Sequence, residues 1–163
     1  MKYLTSILVL MLAINFSSYS QLKVFKFKGQ VHYGNALLKG AKITVILAGD
    51  TITDVITGGS GKFEVELEAE REYYLQVSKE DMRTKLIWVN TKKTQDVKGK
   101  IPVFAFDIYL KKEKRTIYDG LKEIPVTLIK FQEDDKEFYM DKTYTSVIKN
   151  RKKRIKETGL QRR

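Results

Sequence analysis

Residues 58–68 read Gly-Gly-Ser-Gly-Lys-Phe-Glu-Val-Glu-Leu-Glu, and two incompatible structures compete for them. Glycines ahead of a lysine suggest a loop that cradles phosphate, whereas the residues from Lys62 onward suggest a strand. A Walker-type loop needs a glycine, four residues, then Gly-Lys followed by Ser or Thr, whose hydroxyl binds magnesium where a helix begins. Here Phe63 follows Gly61-Lys62, Ile56 occupies the first glycine position, and no helical spacing follows. The nucleotide reading fails on all three counts. Phe63, Val65 and Leu67 share one face of an extended chain, and Lys62, Glu64, Glu66 and Glu68 share the other, as in a strand with one wet side. The glycines supply positive φ where the run 51–57 reverses into that strand.

Working outward, the same alternation predicts strands over 24–33, 41–47, 51–57, 62–68, 73–79, 84–90 and 103–110. Short strands separated by turn residues, with no helical period between them, specify a mainly β, antiparallel seven-stranded β-sandwich. The stretch 91–101, TKKTQDVKGKI, is its one long connection. After Leu110 the pattern changes. A further strand is expected over 125–131, then a polar turn near 133–136 and a short apolar stretch, Phe138-Tyr139-Met140. From Asp141, a suitable N-cap, the spacing of Tyr144, Val147 and Ile148 is helical. Arg151 takes the next place on that stripe and only Ile155 resumes it. A short helix with a weakly held second half, stopped by Gly159, is the expectation.

The ends of the chain differ in character from its middle. Lys2, the apolar run 7–14 and the small residues Ser18-Tyr19-Ser20 read as a secretory signal over 1–20, cleaved near Ser20. The apolar stretch is shorter than the roughly 20 residues a membrane-spanning helix needs, so no transmembrane span is expected in the mature chain. Export to the periplasm or beyond follows. The sequence holds no cysteine, which removes disulfides and thiolate metal sites from consideration. Its net charge is +11, but eight Lys or Arg from Lys149 onward face a single acid, Glu157. The tail is the basic object; the folded body is nearly balanced.

An ordered set of short pieces carries a family resemblance: Gly29-x-Val31, Leu38-x-Gly40-Ala41-x-Ile43-x-Val45, Thr53-Asp54, Gly61-x-Phe63-x-Val65 and Tyr73-x-Leu75-x-Val77-Ser78-Lys79. Together they resemble the carboxypeptidase regulatory-like domain, an Ig-like or transthyretin-like β-sandwich of exported bacterial proteins, over about Phe25 to Asn90. The resemblance implies a non-catalytic module that stabilises, spaces or binds. The expected organisation is a signal peptide over 1–20, the sandwich over 21–110, and a C-terminal extension over 111–163 with strand, helix and basic tail.

Candidate chemistry is sparse. His32 is the sole histidine, so neither a zinc site nor a general base finds partners of its own kind, and a packing or solvent-facing ring is expected. Ser60, Asp54 and His32 supply triad residue types without a nucleophile elbow. Asp50 with Asp54, or Asp134 with Asp135, could gather oxygen ligands for calcium, though aspartate at turns is ordinary. Trp88, Tyr73, Tyr74 and Tyr33 could form a sugar platform, but aromatics in strands usually fill cores. No catalytic, cofactor or metal residue is assigned. Lys149, Arg151, Lys152, Lys153, Arg154 and Lys156 are the candidate contacts to an anionic envelope surface such as phosphate-bearing lipid or polysaccharide. Nucleic acid is disfavoured by export and by the lack of an interleaved aromatic surface. The expected function is a non-enzymatic structural or binding module of the bacterial cell envelope, presenting loops or edges to a protein or glycan partner. A carbohydrate-binding module and a small hydrolase are the alternatives.

Overall fold

A computed structural model describes residues 23–94, 97–112 and 124–160. The signal segment expected over 1–20 lies outside the described residues. The chain folds as a mainly β, two-sheet sandwich with a C-terminal helix. Its strands are β1 (Val24–Tyr33), β2 (Ala36–Leu37), β3 (Lys42–Leu47), β4 (Asp50–Ile56), β5 (Lys62–Glu68), β6 (Glu72–Ser78), β7 (Lys85–Asn90), β8 (Phe104–Ala105), β9 (Ile108–Leu110), β10 (Thr127–Gln132) and β11 (Glu137–Met140), followed by helix α1 (Lys142–Leu160).

One sheet is built on β1, which pairs antiparallel with β5 from Val24↔Glu68 to Gln30↔Lys62 and with β2 at His32↔Leu37. The other runs β11-β10-β7-β6-β3-β4. The faces turned toward each other are the apolar phases read from the sequence. Phe63, Val65 and Leu67 on β5 are buried while their neighbours are exposed, and Tyr73, Leu75 and Val77 on β6 are buried in turn. Phe27, Val31, Ile43, Leu75 and Val89 lose all solvent contact in one continuous core. Each such side chain contributes about 1.5–3 kcal/mol over leaving it in water.

Two features go beyond the antiparallel expectation. The predicted strand 103–110 is divided into β8 and β9, both running parallel to β1 in a single register, Phe27↔Phe104 and Val31↔Ile108. Between them Phe106 donates its N–H to Lys28 O at 2.9 Å, and the Asp107 carboxylate, not its backbone, accepts the Gln30 N–H at 3.1 Å. The crossing is so close that a Cβ on Gly29 would lie 1.6 Å from the Phe106 carbonyl oxygen. Gly29 is therefore required by contact, not by conformation. The second addition is β10, which lies parallel to β7 from Thr127↔Ile87 to Lys130↔Asn90, with β11 antiparallel beyond it. These strands of the expected extension are members of the second sheet. Phe138 on β11 sits 4.9 Å from the Phe27 ring and 5.4 Å from Phe25, edge to face, closing the core between the sheets.

The opening glycine stretch is a turn between strands. Gly61 has φ of 61°, and an added Cβ would approach Val31 O to 2.7 Å, whereas Gly58 and Gly59 face open space. The long connection is tied down by threonines. Thr91, fully buried, donates its hydroxyl to Glu68 O at 2.7 Å and accepts the Arg71 N–H at 3.0 Å. The buried Thr91 hydroxyl is thus paired both as donor and as acceptor, as an interior requires.

Candidate functional site

Helix α1 starts where expected. Asp141 accepts the Tyr144 N–H at 2.9 Å with one carboxylate oxygen, and its other oxygen lies 2.8 Å from Lys130 Nζ on β10. The Lys130 ammonium first, and the Tyr144 N–H next, hold the Asp141 carboxyl below the usual carboxylate range. The Thr127 and Thr145 hydroxyls meet at 2.9 Å, and the Tyr144 ring meets Trp88 edge to face at 6.1 Å. The helix is therefore fastened across β10 and β7 by its first turns.

The stripe that holds it differs from the one read in sequence. Val147 is exposed, Ile148 is buried, and the next inward place belongs to Lys152, not Arg151. Lys152 lies half-buried along its stem and donates to Ile124 O at 3.1 Å. That contact fastens the middle of the helix, which runs through Gly159 to Leu160. Of the predicted anionic-surface residues, Lys149, Arg151, Lys153 and Arg154 are exposed and Lys152 is turned toward the sheet, while the Lys156 side chain lies outside the described ones. Lys153 is 3.8 Å from Glu157 one turn on.

Beneath α1 the sandwich opens. Ile87 and Val89 face the core, so period two puts Lys85, first residue of β7, on the same inward side at the mouth. An open cleft of about 580 Å³ lies there. Lys85 and Ile87 form one wall, Phe106, Asp107 and Ile108 the opposite one, and Thr145, Ser146 and Lys149 of α1 the cover. Val126, Thr127, Met140 and Lys142 complete it. A smaller recess of about 140 Å³ shares Lys85 and Val126 and is lined also by Arg83, Lys111, Ile124 and Lys152. Burial pushes the Lys85 ammonium below the usual lysine value, and the like charge of Lys111 adds to the effect. Among the described residues, Asp107 is the one carboxylate lining either cavity. Its oxygens are turned to Gln30 N–H and, at 3.6 Å, to His32 Nε2.

Sequence reasoning did not single out Lys85, though the signal was present. In KLIWVN the lysine is in phase with Ile87 and Val89, a cation at a core-facing position.

The other candidates disperse. His32 stacks on Tyr109 with ring centroids 4.8 Å apart and planes at 17°. With Asp107 this makes an Asp-His-Tyr trio, but the phenol lies against the ring face and 3.6 Å exceeds a hydrogen bond, so the contact is packing. Asp54 sits in the other sheet, held 2.8 Å from Lys42 Nζ and accepting the Thr44 hydroxyl at 2.6 Å. The Lys42 hydrogen bond, then that of Thr44, lowers its pKa. Asp135 accepts from the Gln132 side chain. Among the described residues no group of three or more His, Cys, Asp or Glu gathers as for a metal. The four proposed platform aromatics are not coplanar neighbours. Tyr73 is in the core, Tyr33 belongs to the other sheet, and Trp88 is half-buried between Tyr74 and Tyr144. No helix among the described residues is long and apolar enough to cross a membrane.

No protein-family model matches the chain, and no curated protein sequence matches it. Solved structures similar to part of the chain include 3-chlorocatechol 1,2-dioxygenase from Rhodococcus opacus, 12% identical, covering 59% of this chain and 62% of that one at a TM-score of 0.42. A DUF3823 family protein from Parabacteroides merdae is 17% identical over 67% of this chain and 50% of its own, at a TM-score of 0.38. The dioxygenase domain of a dioxygenase carbohydrate-binding protein fusion from Streptomyces sp. SirexAA-E is 13% identical over 60% and 85%, at 0.42. The chain spans 50 to 62% of the length of the first two, and likeness at this level says nothing of activity.

Proposed function

We propose that the chain is a non-enzymatic β-sandwich module of the carboxypeptidase regulatory-like kind, exported to the cell envelope. There it lays the basic face of α1 on an anionic surface and presents the sandwich to a protein or glycan partner. The observation that carries this reading is the fastening of α1. Asp141–Lys130, Thr127–Thr145 and Tyr144–Trp88 anchor the first turns to the sheet, so the exposed Arg151, Lys153 and Arg154 project in a fixed direction. A pre-ordered cationic face binds without first losing chain entropy, and its Coulomb attraction reaches about a Debye length, ~8 Å at physiological salt.

The free edge of the second sheet, β4, supports a protein partner less well as a strand template. Its register slips between Val45 and Ile46, and a bulge at an edge works against strand addition. It does leave Ile52 and Ile56 exposed as side-chain contacts. A glycan face built on Trp88 is disfavoured because Tyr144 covers that ring.

The test is co-sedimentation of the protein with vesicles of phosphatidylglycerol against vesicles of phosphatidylcholine. The reading expects pelleting with the anionic vesicles alone. Equal pelleting with both, or with neither, removes its support.

A further inference from the structure

Lys85 occupies a core-facing position, and the residues lining the recess beside it include Arg83 and Lys111, the latter a like charge acting on it. Gathering like charge around a half-buried ammonium is unfavourable for the fold on its own. An anion among these donors reverses the sign, through charge-assisted hydrogen bonds in a partly desolvated site. Alongside the recess the chemistry changes to apolar. Ile87, Phe106 and Ile108 line the wider cleft, and Met140, which shares its face of β11 with buried Phe138, is still 36% exposed. A cationic end joined to an apolar trough fits a ligand with the opposite ends. The cleft volume of about 580 Å³ falls within the ~300–1,000 Å³ usual for small-molecule sites.

We propose that the mouth of the sandwich binds a single-chain amphipathic carboxylate of the fatty-acid class, its head among Arg83, Lys85 and Lys111 and its alkyl chain along Ile87, Ile108 and Met140. The site is separate from the outward cations of α1, so it stands or falls independently of vesicle binding. Chain length discriminates it from adsorption by charge alone. Each methylene buried in the trough strengthens binding about four-fold until the trough is full.

The experiment titrates octanoate, decanoate and dodecanoate, each below micelle formation, into the full chain by calorimetry, with dodecyltrimethylammonium as the cationic control. The site predicts one-to-one binding and an affinity that climbs about four-fold per methylene. Lys85→Met weakens dodecanoate about ten-fold or more, as loss of a charged hydrogen bond does. Met140→Trp, at an exposed position, flattens the chain-length dependence by filling the trough. Arg151→Gln with Arg154→Gln leaves dodecanoate binding intact. Affinity independent of chain length, unchanged binding in Lys85→Met, equal uptake of the cationic amphiphile, or loss in the Arg151/Arg154 variant each overturns the proposal.

Discussion

Asp141 joins two elements at once: one oxygen caps α1 through the Tyr144 N–H at 2.9 Å, and the other meets Lys130 Nζ of β10 at 2.8 Å. A helix with a thin apolar stripe is set in place by that double contact. Replacing Asp141 with Ala is expected to cost about 1–2 kcal/mol, the range for a lost N-cap. The dependence on pH follows from the sign of the shift. Asp141 has its pKa lowered by Lys130 and then by the Tyr144 N–H, so its contribution is present above the unfolded carboxylate value. It is lost as pH falls through the folded value. Urea denaturation should show a gap between wild type and Asp141→Ala at pH 7 that closes toward pH 2. A constant gap contradicts the assignment.

Gly29 and Gly58 separate a glycine needed for contact from one that is not. A methyl on Gly29 would sit 1.6 Å from the Phe106 carbonyl oxygen, forcing β8 and β9 away from β1. Overpacking costs about 1–3 kcal/mol where side chains can yield, and a backbone oxygen yields less. Gly29→Ala should therefore lose about 3 kcal/mol or more, measured by chemical denaturation. Gly58→Ala, with open space around it, should stay within about 0.5 kcal/mol of wild type. Similar losses in both would mean that the parallel crossing is wrongly placed.

Lys85 carries a stability penalty with a definite direction. Its folded pKa is lowered by burial and by Lys111, so between that value and the ordinary lysine value the unfolded chain binds more protons. Stability from this group rises as pH rises through that window. Among the described residues, the charged groups lining its two cavities are Lys111, Arg83, Asp107 and, from α1, Lys142, Lys149 and Lys152. Lys85→Met should be more stable than wild type at pH 7, with the difference shrinking as pH climbs toward 10. Comparing the two proteins cancels the opposing effect of Tyr73 and Tyr144, whose pKa values burial raises. A wild type more stable than Lys85→Met at neutral pH would place the ammonium in a compensated environment instead.

The two sheets were legible because alternation is a strong local signal where one face is dry. Lys62 to Glu68 forms a strand over the span its pattern demands, and β1 and β6 follow within a residue or so. The parallel placement of β9 and β10 was not legible, since neither strand carries a local mark of its partner; the deciding contacts are Gly29 against Phe106 and Phe138 against Phe27. Two-residue β2 is too short to show a period. On α1, spacing favoured Val147 and Arg151, whereas the stripe rotates through Ile148 to Lys152, whose alkyl stem packs while its ammonium reaches Ile124 O. Of the binding surfaces, the basic tail was visible as composition. The cleft was not, because it joins Lys85, Asp107, Met140 and Lys149, which are distant in sequence.

That fastened helix bears directly on how the chain meets an anionic surface. The earlier residues of the tail now have structural roles, Lys149 covering the cleft and Lys152 holding Ile124, so deletion from Lys149 would change the fold as well as the charge. Neutralising the outward cations alone avoids this. The most direct measurement is the salt dependence of binding to phosphatidylglycerol vesicles by wild type and by the triple variant Arg151→Gln, Lys153→Gln, Arg154→Gln, with circular dichroism confirming equal helix content. Each basic residue near an anionic membrane contributes about 1 kcal/mol, so the triple variant should bind about 150-fold more weakly at low salt, with a shallower salt dependence. Binding of equal strength and equal salt dependence in both proteins would contradict the account.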